Sequence, residues 1–213
     1  MTTIAWFLAL AALYIGWVYI RVVIEVYRHT KAMANSDYAI ERFEPVAGPS
    51  LEQIPPGFEP HENLFLGFAG NPIQLDSWYN PASGRYLSHY QGASCNFIEY
   101  VTRFEGDVLL TTSNQFNDCM PAAPGNYRQC FSVNEPNELL QHHENSEKYL
   151  IEQGHRVLFD SFNFEKELRR LSTLQAEATM AKQLWPLRYA FMYMFRIRPK
   201  HGLTVREQAL PKS

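Results

Sequence analysis

The sequence predicts an α+β fold, with a single N-terminal transmembrane helix followed by one soluble domain. That domain holds an antiparallel β-meander of about four to five strands and two or three helices. Three observations carry this prediction. Residues 4–20 run for seventeen positions without a charge or proline, covering roughly 25 Å as a helix; residues 2–3 and 22–24 extend this to bilayer length. Residues 73–114 fall into short segments rich in β-branched and aromatic side chains, separated by turn chemistry. Beyond residue 134 the apolar positions take up helical spacing.

The apolar run differs from a cleaved signal peptide in three ways. No Lys or Arg precedes it, it exceeds the usual apolar core of a signal, and no small-x-small cleavage site closes it. The helical pattern instead continues through Arg21, Glu25 and Arg28, spaced to pair at i,i+4 and i,i+3. Trp6 near one end and Trp17, Tyr19 and Tyr27 toward the other suit the aromatic belts of a bilayer. Basic residues lie only on the C-terminal side, at Arg21, Arg28 and Lys31. The positive-inside rule then puts the N-terminus outside the inner (cell) membrane and the domain in the cytoplasm. Three cysteines, Cys95, Cys119 and Cys130, form an odd set with no CxxC pair, which suits a reducing compartment. A Cys119–Cys130 disulfide is the natural reading of the reverse topology.

A net charge of −3 conceals a division. Residues 36–180 carry nine Lys and Arg against twenty Asp and Glu, whereas residues 181–213 carry seven basic residues against Glu207 alone. An acidic body with a basic tail is expected to seek an anionic surface. For a tethered chain that surface is the inner leaflet rather than nucleic acid, which is not expected as a partner.

The organisation follows in order. Residues 1–31 read as the anchor and its juxtamembrane helix, and 32–61 as a linker. Pro45, Pro49, Pro55, Pro56 and Pro60 disfavour regular helix or a central strand there. Residues 62–183 read as the α+β domain, with strands at 73–79, 85–91, 96–104 and 108–114. Residues 80–84 and 105–107 form turns. In the third strand Ile98, Tyr100 and Phe104 share one face while Glu99 and Arg103 share the other, the pattern of a sheet packed on one side and solvated on the other. Residues 116–128 read as a loop. Asn134 is a candidate cap, Pro136 opens a helix that Gly154 ends, and 156–162 offers a fifth strand. Residues 164–184 have helical spacing at Leu168, Leu171, Leu174 and Ala178. The last unit, 184–213, is a basic aromatic tail. Its segment 184–197 is too short to span a bilayer, and two readings stay open: an interfacial helix, or a helix buried on the sheet.

Chemistry has four candidate places. His143 and Glu147 lie at i,i+4 beside His142, resembling half of a zinc-protease helix, but glutamate stands where the second histidine belongs and no third ligand is evident. A solvated helix face is the expected reading. Cys119 with His142 or His143 offers a thiol and a base without the sequence context of a known nucleophile. Residues 67–71 contain Gly67 and Gly70 but no GxGxxG or P-loop lysine, so they read as a turn. The polar run 111–115 reads as the solvent face of an edge strand. No cofactor is expected.

The function expected from these observations is a non-catalytic accessory or assembly subunit of a membrane protein complex, with a cytoplasmic domain making protein–protein contacts. Its partners are the bilayer and integral membrane proteins, with anionic lipid contact through the tail. The residues expected to contact membrane or partner are Trp6, Trp17, Tyr19, Arg21, Arg28, Lys31, Trp185, Phe191, Phe195, Arg196 and Arg198. The alternative is a membrane-tethered ligand sensor or enzyme using the Cys/His or His/Glu site in the cytoplasmic domain.

Overall fold

The computed structural model describes residues 2–35, 39–42, 53–68, 71–93, 95–115, 120–160, 163–197 and 200–209. The apolar run continues unbroken into helix α1 (Thr2–Ala34). Its 33 residues extend for about 50 Å. Ala5–Ala34 is long and apolar enough to cross a membrane. The helix divides into two parts. Side chains of residues 5–17 are exposed, apart from a half-buried Ala11, whereas from Val18 onward one stripe turns inward and ends in buried Thr30 and Met33. Arg21 lies over the Trp17 ring, its guanidinium carbon 5.1 Å from the centroid.

Among the described residues seven strands form one sheet in sequential order: β1 (Ala39–Arg42), β2 (Glu59–Phe68), β3 (Asn71–Asn80), β4 (Arg85–Gly92), β5 (Cys95–Phe104), β6 (Val108–Ser113) and β7 (Asn126–Cys130). Strands β3 to β6 stand within two residues of the positions predicted from periodicity. The tight β5–β6 hairpin places both Gly106 and Asp107 at positive φ, as a turn matched to the strand twist requires. The expected four to five strands are corrected to seven, and for separate reasons. β1 is a four-residue edge strand, compatible with a proline-rich neighbourhood. β2 carries Pro60 beside a register shift between Pro60 and Asn63, where a missing N–H is tolerated. Of the segment 67–71 read as a turn, Gly67 and Phe68 end β2 and Asn71 opens β3. β7 is too polar to stand out by pattern and pairs parallel to β6, so the sheet is mixed. Of the segment 156–162 offered as a fifth strand, the described residues 156–160 contribute an isolated bridge, Phe104 to Val157.

Among the described residues four further helices follow: α2 (Pro136–Glu152), α3 (Phe164–Met180), α4 (Trp185–Met194) and α5 (Val205–Ala209). Pro136 opens α2, but its N-cap is Glu135 without a side-chain bond, not Asn134. α3 stops at Met180 rather than 184, and Leu184, left-handed at φ 52°, is the N-cap of the separate helix α4.

Helices cover both faces of the sheet. Leu64, Leu75, Tyr86, Tyr90, Val101 and Leu109 point to one face, where Phe164, Leu168 and Leu171 of α3 pack. Trp78, Leu87, Ile98 and Tyr100 point to the other, against Leu139 and Leu140 of α2. The expectation of one solvated face is therefore corrected, since Val101, adjacent to exposed-looking Glu99 and Arg103 in the pattern, is buried under α3. The inner half of α1 packs on α3 and α4. Thr173 of α3 donates to the Met33 carbonyl at 3.3 Å.

Candidate functional site

The His143/Glu147 pair sits between α2 and the sheet, not on a solvated face. His143 is fully buried and Glu147 nearly so, which overturns the sequence expectation. The cause lies in polar partners that the sheet supplies from distant strands. Arg85 of β4 makes a bidentate pair with Glu147, Nε to Oε2 at 3.0 Å and Nη2 to Oε1 at 2.8 Å, and also binds Glu144. Thr102 donates to Glu147 Oε2 at 2.7 Å, so its oxygen must accept from His143 Nε2, 2.8 Å away. His143 Nδ1 then accepts from Thr112, also at 2.8 Å, whose oxygen takes a hydrogen bond from Gln129 Nε2. With full burial disfavouring a charged ring, these directions fit a neutral imidazole protonated on Nε2. Gln129 Oε1 closes the chain by accepting from Ser146 and from the Val205 backbone.

Electrostatics follow from this geometry. Burial pushes His143 down to about 3, with Glu147 opposing less strongly. Burial works against the Glu147 carboxylate, but hydrogen bonds from Arg85 and Thr102 outweigh it and hold its pKa below the usual range. Both His143 nitrogens and both Glu147 oxygens are engaged within the protein, so the pair joins α2 to β4, β5 and β6. The run 111–115 is corrected in the same way: Thr111, Thr112 and Ser113 are buried because β7 covers the strand edge. Cys119 lies outside the described residues. Its candidate bases are His143, committed to the threonines, and His142, stacked on Phe131 at 4.0 Å. Burial raises the Cys95 thiol, away from the reactive thiolate.

The tail forms a different kind of surface. Tyr189 and Ala190 are the buried residues of α4, whereas Leu184, Leu187, Phe191, Phe195 and Ile197 are exposed. Tyr19 of α1 donates to the Leu187 carbonyl at 2.8 Å, and Tyr27 stacks on Trp185 with centroids 5.7 Å apart. α4 thus lies beside residues 19–27 of the long helix. Of the residues expected at a membrane, Trp6 and Trp17 are exposed on the outer part of α1, and Arg21, Arg28 and Lys31 are exposed on its inner part. Trp185 is half-buried against α1, Phe191 stacks with Phe195 at 4.6 Å, Arg196 is exposed, and Arg198 lies outside the described residues.

Two hollows flank α4. A cleft of about 650 Å³ opens between β7, the start of α4 and the tail, lined by the cationic side chains of Arg128, Lys182, Arg188 and Lys200 together with His201. A second, apolar groove of about 450 Å³ runs between Tyr19 and the Leu187, Phe191 and Ile197 side chains. Arg188 and Met192, one turn apart, line both. Sequence reasoning missed the cleft because Arg128 and the tail are far apart in the chain. One signal was present: Thr204 and Glu207 form a capping box, with Glu207 accepting from the Thr204 N–H and hydroxyl at 2.7 Å each, which marks a folded helix start within the basic extension. A backbone bond from the Gly202 N–H to the Cys130 carbonyl and a bond from the Gln208 side-chain Nε2 to the Arg128 carbonyl tie that extension to β7. Comparison with protein-family models, curated proteins and solved structures returns no match to this chain.

Proposed function

We propose that this chain is a single-pass accessory or assembly subunit of a membrane protein complex, with its domain held at the cytoplasmic face of the inner membrane for contacts with partner proteins. The observation that carries the reading is the fastening of α4 alongside α1 with an apolar side turned outward. Residues 5–17 of α1, which stand clear of the domain, cover only about 20 Å, less than the ~30 Å of a hydrocarbon core. Residues 2–24 supply about 34 Å, so the bilayer boundary falls near Arg21 and Glu25, at the level of α4. Leu187, Phe191 and Phe195 then meet the acyl boundary while Arg188 and Arg196 meet phosphates, the arrangement of an interfacial helix.

Other features agree. The inner part of α1 packs on α3 and α4, so cleavage behind the apolar run would remove part of the fold; this favours an uncleaved anchor. Basic residues on the domain side favour the cytoplasmic orientation. The engagement of His143 and Glu147 in a closed network favours a non-catalytic domain over the His/Glu site of the alternative. Extraction in mild detergent followed by native mass analysis tests the proposal. Integral membrane subunits in fixed stoichiometry are the expected result, and an isolated monomer would overturn it.

A further inference from the structure

Three cations of the cleft, Lys182, Arg188 and Lys200, have no carboxylate partner among the described residues, and no described lining residue is acidic. All three belong to the basic tail, residues 181–213, and the fold gathers them in one hollow beside a body whose residues 36–180 carry twenty acidic side chains against nine basic ones. Uncompensated positive charge in one concavity favours an anion and is costly to hold together without one. The lining also explains which anion. Arg188 reaches the cleft from the same helical face on which Met192 borders the apolar groove, and both residues line both hollows. A ligand that fills the pair must be ionic at one end and hydrocarbon at the other, and Tyr19 of the apolar helix α1 lines the groove.

We propose that the cleft binds the phosphate of one anionic phospholipid, whose acyl chain lies in the groove between α4 and α1. This assignment rests on the placement of α4 at the bilayer surface. Lys182, Arg188 and Lys200 supply charge-assisted hydrogen bonds to the phosphate oxygens. Leu187, Phe191 and Ile197 cover the chain. A free phosphate shares the headgroup chemistry but leaves the groove empty, which is why the lipid is favoured.

The test uses the full chain in a neutral detergent, titrated with phosphatidylglycerol, phosphatidylcholine or inorganic phosphate and followed by native mass spectrometry. One phosphatidylglycerol is expected to be retained per chain, at least about tenfold more tightly than phosphatidylcholine. Lys182→Gln combined with Arg188→Gln, both at exposed positions, should abolish that preference while the thermal midpoint stays near the parent value. Phe191→Ser should weaken phosphatidylglycerol retention without altering the response to inorganic phosphate. Displacement by millimolar phosphate together with indifference to Phe191→Ser would overturn the lipid assignment in favour of a free anion. Absence of a retained lipid on a chain that resists carbonate extraction from membranes would overturn the site alone. Release by carbonate would overturn the membrane placement and this assignment with it.

Discussion

Tyr27 and Trp185, 158 positions apart in the chain, stack at 5.7 Å with their planes 15° apart. This contact fastens the tail helix to the long N-terminal helix, and it sets the level of α4 along α1. An aromatic pair of this kind is worth about 1 kcal/mol beyond its buried area. A double-mutant cycle with Tyr27→Ala and Trp185→Ala, measured by thermal unfolding of the full chain in neutral detergent, should give a coupling of that size. Each single variant should lower the midpoint by about 2–4 °C or more. Additive effects would show that the two rings do not hold the helices together.

Phe191 and Phe195 should behave differently, because both are exposed. Serine at both positions should change stability by no more than about 0.5 kcal/mol. Spin labels placed there through Phe191→Cys and Phe195→Cys should be reached by dissolved oxygen in proteoliposomes and shielded from a water-soluble nickel relaxant. A label at Glu138, on the far face of α2, should show the reverse. Water accessibility at 191 and 195 would remove α4 from the bilayer surface.

The buried network predicts an acid sensitivity of known sign. His143 titrates at about 3 in the folded protein against 6.5 ordinarily, so the unfolded chain binds more protons between these values. Stability is therefore fully present above about pH 6.5 and declines as pH falls toward 3. Glu147, with its lowered pKa, adds a loss in the same direction, beginning near 4.5 and continuing through its folded value. Denaturant unfolding of the parent and of His143→Gln should show the parent losing about 1 kcal/mol more per pH unit between about pH 6 and 5. Parallel slopes would mean that His143 is already charged in the folded state.

Removing one member of the Arg85–Glu147 pair should cost far more than a surface substitution. Glu147→Ala leaves Arg85 with only the more exposed Glu144 and strips Thr102 of its acceptor. A loss of about 3 kcal/mol is expected, toward the lower end for a broken buried pair. Glu144→Ala should lose under about 1 kcal/mol. Equal losses would contradict the unequal burial of the two carboxylates.

Topology is testable independently. With Arg21, Arg28 and Lys31 all following the apolar run, a reporter fused after residue 213 should be active only in a cytoplasmic form. Activity of a periplasmic reporter would reverse the orientation.

The sequence by itself determined the parts of this protein that repeat along the chain. An uninterrupted apolar run, the period-two pattern of β3 to β6 and the Gly106-Asp107 turn are local, and backbone geometry translates them directly into helix, strand and hairpin. Pro60 concealed β2 because a proline at a bulged strand end resembles one in a linker, and β7 was concealed because Asn126, Arg128 and Gln129 leave it without an apolar alternation, Gln129 being buried through its bond to Thr112. Tertiary structure alone decided the fate of His143 and Glu147. A histidine and a glutamate at i,i+4 present the same pattern whether they face water or a sheet, and only Arg85, Thr102 and Thr112, brought over from three strands, provide enough hydrogen bonds to bury them. The cleft arose the same way: hydrogen bonds from the tail to β7 bring Lys200 beside Arg128, and Lys182 and Arg188 line the same hollow from the end of α3 and from α4.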